Sequence, residues 1–357
     1  MFTEKKTLSP HKLFLHIGLH KTGTSSIQEA LIKNKKLLKS EKIVYLNKLP
    51  NLDRMLSTRS FDDTIAKECT NEIIQNLKTY TNNPHKIIIS KEQLSGDPHI
   101  GYDNTKLVIK YLSEILKGFN TKIIIYLRKQ DDFTESLYIQ SIKEGKTHSF
   151  DNFLKSLKNL PFDWYKYLNR WLHLFSNDQL IIRIYNNQFL EKDIVYDFAK
   201  VIKSKVLLKN NEEYNINLGL SRNALEVTRQ LNHSLAVEDM QIIRKFLEKI
   251  EPRSRFESFN LFSYQERKNY LNMYKVCNEK LVKKFLNKNY EKIFDVKELS
   301  RKNYQESKPL TSQYNEAFSA LIGYLIKENK YLRYKTKPTF KNLTKMLSFM
   351  IKKNKVV

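Results

Sequence analysis

A glycine-rich loop near the start of the chain carries residue types that suit a phosphate group. Gly18 and Gly23 are separated by four residues, and Lys21 lies between them. Hydroxyl side chains occupy the positions around the second glycine, at Thr22, Thr24 and Ser25. Glycine lets a backbone approach a ligand closely, and a lysine ammonium is a compact positive charge that binds phosphate. The spacing therefore predicts an anion-binding loop.

The loop departs from the phosphate-binding loop of ATP- and GTP-dependent proteins. There, a lysine and a hydroxyl residue follow the second glycine directly, whereas here Thr24 follows Gly23 and the lysine is Lys21. Such proteins also hold Mg²⁺ with an aspartate after a strand. Here the apolar run over residues 85–90 leads to Glu92, and the run over residues 121–128 ends at Arg128. Two alternatives stay open: an ATP-dependent small-molecule kinase, or a site for a different phosphate donor.

A second anion-binding group is predicted at the end of a later strand. Arg128 ends the apolar run over residues 121–128, and Ser136 comes eight residues after it. Ligands of open parallel sheets bind at the carboxyl ends of the strands, and arginine suits a phosphate monoester. We expect Ser136 to lie on a helix face that turns back toward the same point. The two motifs together predict a donor with two separated anionic groups.

Short apolar runs alternate with amphipathic segments around these motifs. The runs are typical of buried strands and lie at residues 12–18, 42–47, 85–90, 121–128 and 178–187. Helical spacing of apolar residues predicts helices over residues 25–40, 131–145, 162–175, 221–232 and 263–288. Strand, loop, helix and strand in succession predict parallel strands with a right-handed crossover. We therefore predict an α/β fold, with a P-loop-like parallel β-sheet flanked by helices and a helical C-terminal extension.

Three segments follow from this pattern. Residues 11–205 are predicted as the α/β core, and residues 206–330 as a helical extension packed on the same domain. Residues 331–357 form a basic tail with eight Lys or Arg residues and no acidic residue. Its apolar face would serve either as a weak peripheral membrane anchor or partner-docking helix, or as a last helix that covers the core. We favour the second interpretation.

The composition says less about function than the motifs do. The formal net charge of +25 indicates either an anionic partner, such as nucleic acid, membrane or glycan, or a simple bias toward lysine. Two cysteines cannot build a disulfide framework. The first apolar run is short and leads straight into the glycine loop, unlike a secretory signal. No run reaches the roughly 18 apolar residues that span a bilayer, so we expect a cytoplasmic protein.

The "KTGTSS" loop resembles the 5′-phosphosulfate loop of sulfotransferases that use 3′-phosphoadenosine 5′-phosphosulfate (PAPS). Arg128 with Ser136 is similar to the 3′-phosphate motif of that family, and residues 162–175, 179–189, 217–232 and 262–286 resemble later segments of bacterial carbohydrate sulfotransferases. The resemblance covers most of residues 13–295. It implies sulfuryl transfer from PAPS to a hydroxyl group of a carbohydrate, with PAP as the other product and no requirement for metal or nucleic acid.

The resemblance also implies roles for the loop residues. The 5′-phosphate would be held by Lys21, Thr22, Gly23, Thr24 and Ser25. Lys21 would also neutralise the charge that develops on the bridging oxygen as the sulfuryl group departs. The 3′-phosphate, which distinguishes PAPS from ATP, would be held by Arg128 and Ser136.

Two residues are candidates for the base that takes the proton of the acceptor hydroxyl. Glu92 follows a predicted strand, and glycan sulfotransferases of this fold use a glutamate in a comparable place, so Glu92 is the first choice. His20, beside Lys21, is the second, because an imidazole titrates in a suitable range. The other histidines form no ligand-spaced pair, so none is predicted to bind metal. A non-enzymatic protein that binds nucleic acid or membrane through its charge is the remaining alternative.

Overall fold

A computed structural model describes most of the chain. The described residues are 10–59, 61–80, 85–157, 161–209, 219–250, 252–253, 261–294, 319, 322–323 and 325–326. The predicted basic tail over residues 331–357 lies outside them. Among the described residues, no helix combines the length and the apolar character that would let it cross a membrane.

Five strands form one all-parallel sheet in the order β2-β3-β1-β4-β5. They are β1 Lys12–His16, β2 Ile43–Tyr45, β3 Lys86–Ser90, β4 Asn120–Leu127 and β5 Leu180–Ile184. Isoleucine, leucine and valine supply most of their buried side chains, as is typical of parallel strands covered on both faces. Helices flank the sheet, so the predicted α/β fold class is confirmed.

The strand order places the end of β1 at the centre of the sheet edge. In the register of the sheet, His16 of β1 pairs with Ser90 at the end of β3 and with Ile124 of β4. The connection after β1 leads toward β2 on one side, while β4 and β5 lie on the other. A crevice at such a switch point is where open α/β sheets bind ligands. The glycine loop starts there.

The described residues form two compact units. The described residues of the first unit lie within Met1–Phe133, Leu157–Ile216 and Gln265–Ser300, and those of the second lie within Thr134–Ser156, Asn217–Tyr264 and Arg301–Val357. Both units are assembled from separate stretches of chain, whereas the predicted segments are continuous.

The first unit contains the five-stranded sheet and most of the helices. Its helices are α1 Thr24–Lys33, α2 Lys35–Leu38, α3 Pro50–Thr58, α4 Asp63–Leu77, α5 Thr105–Ile115, α8 Trp164–Trp171, α9 Ile194–Ile202, α10 Lys205–Lys209, α13 Tyr264–Met273, α14 Lys275–Phe285 and α15 Glu291–Phe294. Helix α13 begins on Tyr264, which still belongs to the second unit, and α6 Gln130–Lys143 passes from the first unit into the second.

The second unit contains three helices and one small antiparallel sheet among its described residues. They are α7 Phe150–Ser156, α11 Arg222–Leu231 and α12 Val237–Ile250, with β6 Gly219–Leu220 paired to β7 Pro252–Arg253.

Two predicted helices are each divided in the structure. The segment over residues 25–40 contains α1 and α2, and Asn34 separates them because its side-chain amide donates back to the Ala30 carbonyl at 2.9 Å. Four residues at helical spacing in this segment are buried: Ile27, Leu31, Asn34 and Leu38. The segment over residues 263–288 contains α13 and α14, with Tyr274 between them.

The aromatic residues of the segment over residues 162–175 belong to the core. Trp164, Tyr167 and Trp171 lie on α8 and are buried. The helix is shorter than predicted and begins after Asp163, whose carboxylate accepts a hydrogen bond from the Lys166 N–H at 2.9 Å. A carboxylate in this position satisfies an otherwise unpaired N–H group of the first helical turn.

Candidate functional site

The glycine loop connects β1 to α1 and has a tightly defined backbone. Gly18, Lys21 and Gly23 have φ values of +87°, +59° and +83°, in the left-handed region that favours glycine. A Cβ atom on Gly23 would lie 3.0 Å from Cγ2 of Ile194, so a side chain there would clash as well as strain the backbone. The loop therefore needs glycine at its second position for both conformation and space.

The hydroxyl groups of the loop have different surroundings. The Thr22 hydroxyl is buried and donates to the Leu19 carbonyl at 2.6 Å, so it shapes the loop. Ser25 is exposed. Thr24 is only 3% exposed, and its Oγ1 has no hydrogen-bond partner among the described residues. A Cβ atom built on Gly18 would lie 3.5 Å from this oxygen, so the hydroxyl faces the inside of the loop.

An unpaired buried hydroxyl is unfavourable unless a ligand completes it. Thr24 is also the first residue of α1, where the helix dipole and free N–H groups favour negative charge. The loop thus combines N–H groups, an unpartnered hydroxyl and the nearby Lys21. These groups fit a phosphate.

Arg128 lies beside this loop. Its guanidinium donates to the Lys21 carbonyl at 3.0 Å and stands 5.6 Å from the ring centre of Tyr185. The Trp164 indole N–H donates to the Arg128 carbonyl at 2.8 Å. The structure therefore brings the predicted arginine to the predicted loop, although 107 residues of sequence separate Arg128 from Lys21. Ser136 is buried on α6 among the residues of the second unit, so its convergence with Arg128 stays a prediction.

A buried charge cluster fixes the chain just after Arg128. Asp131 lies in the first turn of α6 and is fully buried, where it contacts Lys129 at 3.2 Å and the guanidinium of Arg267. Burial alone would raise the pKa of Asp131, but the two cations lower it below its usual value. Arg267 comes from α13 and is fully buried as well. The sequence offers no local signal for this pair, because 136 residues separate its members.

Glu92 lies on the opposite side of the loop from Arg128, since it follows β3 rather than β4. It opens a short 3-10 helix, Glu92–Ser95, and its Cβ lies 3.4 Å from the position a Cβ would take on Gly18. Its carboxylate makes no hydrogen bond with any residue that the structure describes. Partial burial raises the pKa of Glu92, and the positive charge of Lys21 opposes that shift.

His20 is held from the same side. Its Nδ1 lies 3.3 Å from the Tyr102 hydroxyl and 3.3 Å from the Ser95 hydroxyl. Burial lowers the pKa of His20 to about 4, with Asp97 opposing the shift and Lys21 adding to it. The imidazole is therefore neutral near pH 7. The sequence did not identify Ser95 or Tyr102, which reach His20 only because the chain folds back after β3.

The site lies where three adjacent strands end. The ends of β3, β1 and β4 supply Glu92, the glycine loop and Arg128 in turn. Within the described parts of the chain, no group of three or more His, Cys, Asp or Glu side chains could hold a metal ion.

Comparison with known proteins leaves this site without a named counterpart. No family model matches the chain. An uncharacterized protein of Archaeoglobus fulgidus is 25% identical to it over 226 residues. That match covers 61% of this chain and 61% of the Archaeoglobus protein, so the chain spans less than two thirds of that relative's length.

Proposed function

We propose that this protein transfers a sulfuryl group from PAPS to a hydroxyl group of a carbohydrate. The observation that carries the proposal is the contact between Arg128 and the loop at Lys21. It supports one donor site with two positively charged parts, as a nucleotide with phosphate groups at both its 5′ and 3′ positions requires. The resemblance of the two motifs to those of PAPS-dependent sulfotransferases supplies the identity of the donor.

The loop would hold the 5′-phosphosulfate and Arg128 the 3′-phosphate. The unpartnered Thr24 hydroxyl, the N–H groups at the start of α1 and Lys21 suit the first of these groups. By resemblance, Ser25 would contact the 5′-phosphate and Ser136 the 3′-phosphate. The Thr22 side chain would act indirectly, since its hydroxyl donates to the Leu19 carbonyl.

Glu92 is the base in this proposal. The acceptor hydroxyl gives its proton to the Glu92 carboxylate while its oxygen forms a bond to sulfur. The bond between sulfur and the bridging oxygen of the 5′-phosphate breaks, PAP leaves with that oxygen, and Lys21 stabilises the negative charge there. Glu92 is favoured over His20 because its pKa is raised toward neutral pH, whereas that of His20 is lowered to about 4.

A carbohydrate acceptor and a cytoplasmic location are parts of the same proposal and rest on the resemblance and on the sequence pattern. The candidate membrane contact of the basic tail belongs to residues outside the described part of the chain. Its test is sedimentation with anionic vesicles: stronger binding by the full chain than by a chain ending at residue 335 would support the membrane anchor, and equal binding would reject it.

Ligand-dependent thermal unfolding tests the donor assignment. A ligand that binds only the native state raises the melting temperature, and at about 100 times its Kd it stabilises that state by roughly 2.7 kcal/mol. PAP should raise the melting temperature more than AMP at equal concentration, because only PAP carries the 3′-phosphate. Arg128→Ala should remove most of the difference between PAP and AMP. Lys33→Ala is the matched control, since it removes an exposed cation paired with Glu29 outside the loop.

Two outcomes would contradict the proposal. One is equal stabilisation by PAP and AMP. The other is turnover of ATP that EDTA abolishes, without release of PAP from PAPS, which would favour the small-molecule kinase. Steeply salt-dependent DNA binding that Lys21→Ala leaves unchanged would favour the non-enzymatic alternative.

A further inference from the structure

The chain after β3 folds into a short segment that encloses His20, here called the His20 clamp and comprising residues 92–105. Two of its side chains, Ser95 and Tyr102, are buried and meet at Nδ1 of His20, each at 3.3 Å. The other ring nitrogen, Nε2, makes no hydrogen bond to any described residue. It is also not fully buried. One side of the ring is therefore held by the protein, and the other stays open.

The Ser95 hydroxyl has one proton, and that proton is already in use. Ser95 Oγ donates to the Glu92 carbonyl at 2.6 Å, which is the shorter of its two contacts. Toward His20 it can then act only as an acceptor, which favours the neutral ring with its proton on Nδ1. The Tyr102 hydroxyl, also 3.3 Å from Nδ1, can either donate or accept, so it does not choose between the tautomers. In a neutral imidazole the other nitrogen has a lone pair. The contact at Ser95 is therefore the one that favours a single tautomer of His20.

The clamp is held in place by further bonds to the core. The Ser95 carbonyl accepts a hydrogen bond from the Tyr167 hydroxyl at 3.1 Å. The Tyr102 carbonyl accepts from the Thr105 hydroxyl at 2.6 Å and from the Arg170 guanidinium at 2.6 Å. Tyr102 itself has a left-handed φ of 62°, a conformation that is unfavourable for a non-glycine residue and persists only where its surroundings hold it. These contacts leave Ser95 little freedom to move away from His20.

We infer that Ser95 is a positioning residue that holds His20 as the Nδ1–H tautomer, so that His20 Nε2 offers a lone pair to a hydrogen-bond donor of the acceptor. The inference rests on the proposed function for the identity of the acceptor, but not for the tautomer. Glu92 and His20 both adjoin Gly18, where an added Cβ would lie 3.4 Å from Glu92 Cβ and 3.3 Å from the His20 backbone nitrogen. The site would thus offer two hydrogen-bond acceptors, the Glu92 carboxylate and His20 Nε2, on residues that both adjoin Gly18. A ligand that faces both must supply donors, as the hydroxyl groups of a carbohydrate do.

The imidazole nitrogens of His20 report the tautomer directly. In the full-length protein labelled with ¹⁵N-histidine, long-range ¹H–¹⁵N spectra at pH 7 should give a protonated, pyrrole-type Nδ1 and an unprotonated, pyridine-type Nε2. The His20→Asn variant assigns the signals. A protonated Nε2 with a bare Nδ1, or an imidazolium ring at this pH, would overturn the inference.

Two variants then separate Ser95 from Tyr102. Ser95→Ala should abolish the preference, so that both tautomers contribute to averaged nitrogen shifts, while Tyr102→Phe should leave Nδ1 protonated. If Tyr102→Phe changes the tautomer and Ser95→Ala does not, Ser95 is not the positioning residue. If neither variant folds, the wild-type spectrum still decides the tautomer.

Thermal unfolding with PAP on the same samples keeps the two proposals apart. A correct tautomer without PAP binding would retain the inference and reject the proposed donor. PAP binding with the wrong tautomer would do the reverse.

Discussion

The two halves of the candidate site treat their polar groups in opposite ways. In the glycine loop, Thr24 is buried with its hydroxyl unpaired among the described residues. In the His20 clamp, the Ser95 hydroxyl is equally buried, but it lies within hydrogen-bonding distance of both the Glu92 carbonyl and His20. A site that awaits an anion must leave donors open, whereas a site that orients a side chain must satisfy the groups that hold it. Under the proposed function, this difference supports PAPS binding at the first half and binding of the carbohydrate acceptor at the second.

The largest effect is expected from Glu92. Glu92→Gln should lower the rate of transfer by about 10²–10⁴-fold, the usual contribution of a general base. Because burial raises the pKa of this carboxyl, wild-type activity should fall on the acidic side at a pH above the usual titration range of glutamate. A pH–rate profile measured from PAP release checks both points.

Although Glu92→Gln should lose activity, it should not lose stability at pH 7. A carboxyl with a raised pKa in the folded protein favours folding while it is protonated, and this contribution is lost as the pH rises through that pKa. Glu92→Gln should therefore unfold at the same or a higher temperature than wild type at pH 7. A large loss of stability would instead assign Glu92 a structural role.

Lys21 and Arg128 come next. Lys21→Ala should lower kcat/KM by about 10²–10³-fold, as expected when one group that stabilises developing charge is removed. Arg128→Ala should weaken PAP binding more than AMP binding, because only PAP carries the 3′-phosphate. Titration calorimetry with the two nucleotides measures this contrast, and an equal loss for both would place Arg128 outside the 3′-phosphate site.

The buried pair behind Arg128 should contribute to folding more than to chemistry. Arg267→Met removes one partner of a fully buried ion pair and leaves Asp131 with Lys129 alone. The expected loss is about 3–5 kcal/mol in the free energy of unfolding. Lys33→Ala, which breaks an exposed pair, should cost only about 0.3–0.5 kcal/mol. Urea unfolding measures the free energy of unfolding of both variants. Similar losses would mean that the buried pair contributes no more to stability than the exposed pair.

The smallest effects test the two hydroxyl groups against each other. Ser95→Ala should cost about 1 kcal/mol of stability, because it removes the hydrogen bond to the partly buried Glu92 carbonyl. Thr24→Val should cost nothing or stabilise the protein, since it removes an unpaired hydroxyl, and yet weaken PAP binding about tenfold, or roughly 1.4 kcal/mol. Thermal unfolding with and without PAP measures both. A destabilised Thr24→Val with unchanged PAP affinity would reverse the assignment of the two halves.

The fold was largely predictable because its signals are local. Apolar runs of four or five residues mark the strands of the sheet, and amphipathic spacing marks α1, α8 and α11. The predictions missed α3, α4, α5, α7, α9 and α12, although the apolar residues of α3, α5 and α9 do lie on one helical face. They also joined α13 to α14 and α1 to α2, because a break at one residue leaves the apolar spacing almost unchanged.

The candidate site was predictable only in part. The glycine loop is one stretch of sequence, so its residue types and their spacing could be recognised directly. The separate predictions of Glu92 and Arg128 relied on the rule that parallel strands end at one edge, and the strand order β3-β1-β4 puts both beside the loop. Ser95, Tyr102 and Arg267 carried no comparable signal, because serine, tyrosine and arginine are ordinary residues until the fold brings them to a partner.

The sequence by itself determined an α/β chain with an anion-binding loop after its first strand, because glycine spacing and apolar runs act on neighbouring residues. Only the tertiary structure decided which hydroxyl of the loop is left unpaired, which side of His20 is held, and how Asp131 is neutralised. The last two outcomes depend on contacts between residues that are far apart in the sequence. His20 and Ser95 are 75 positions apart, and Asp131 and Arg267 are 136 positions apart. Burial gives such contacts their strength, and burial is a property of the folded chain.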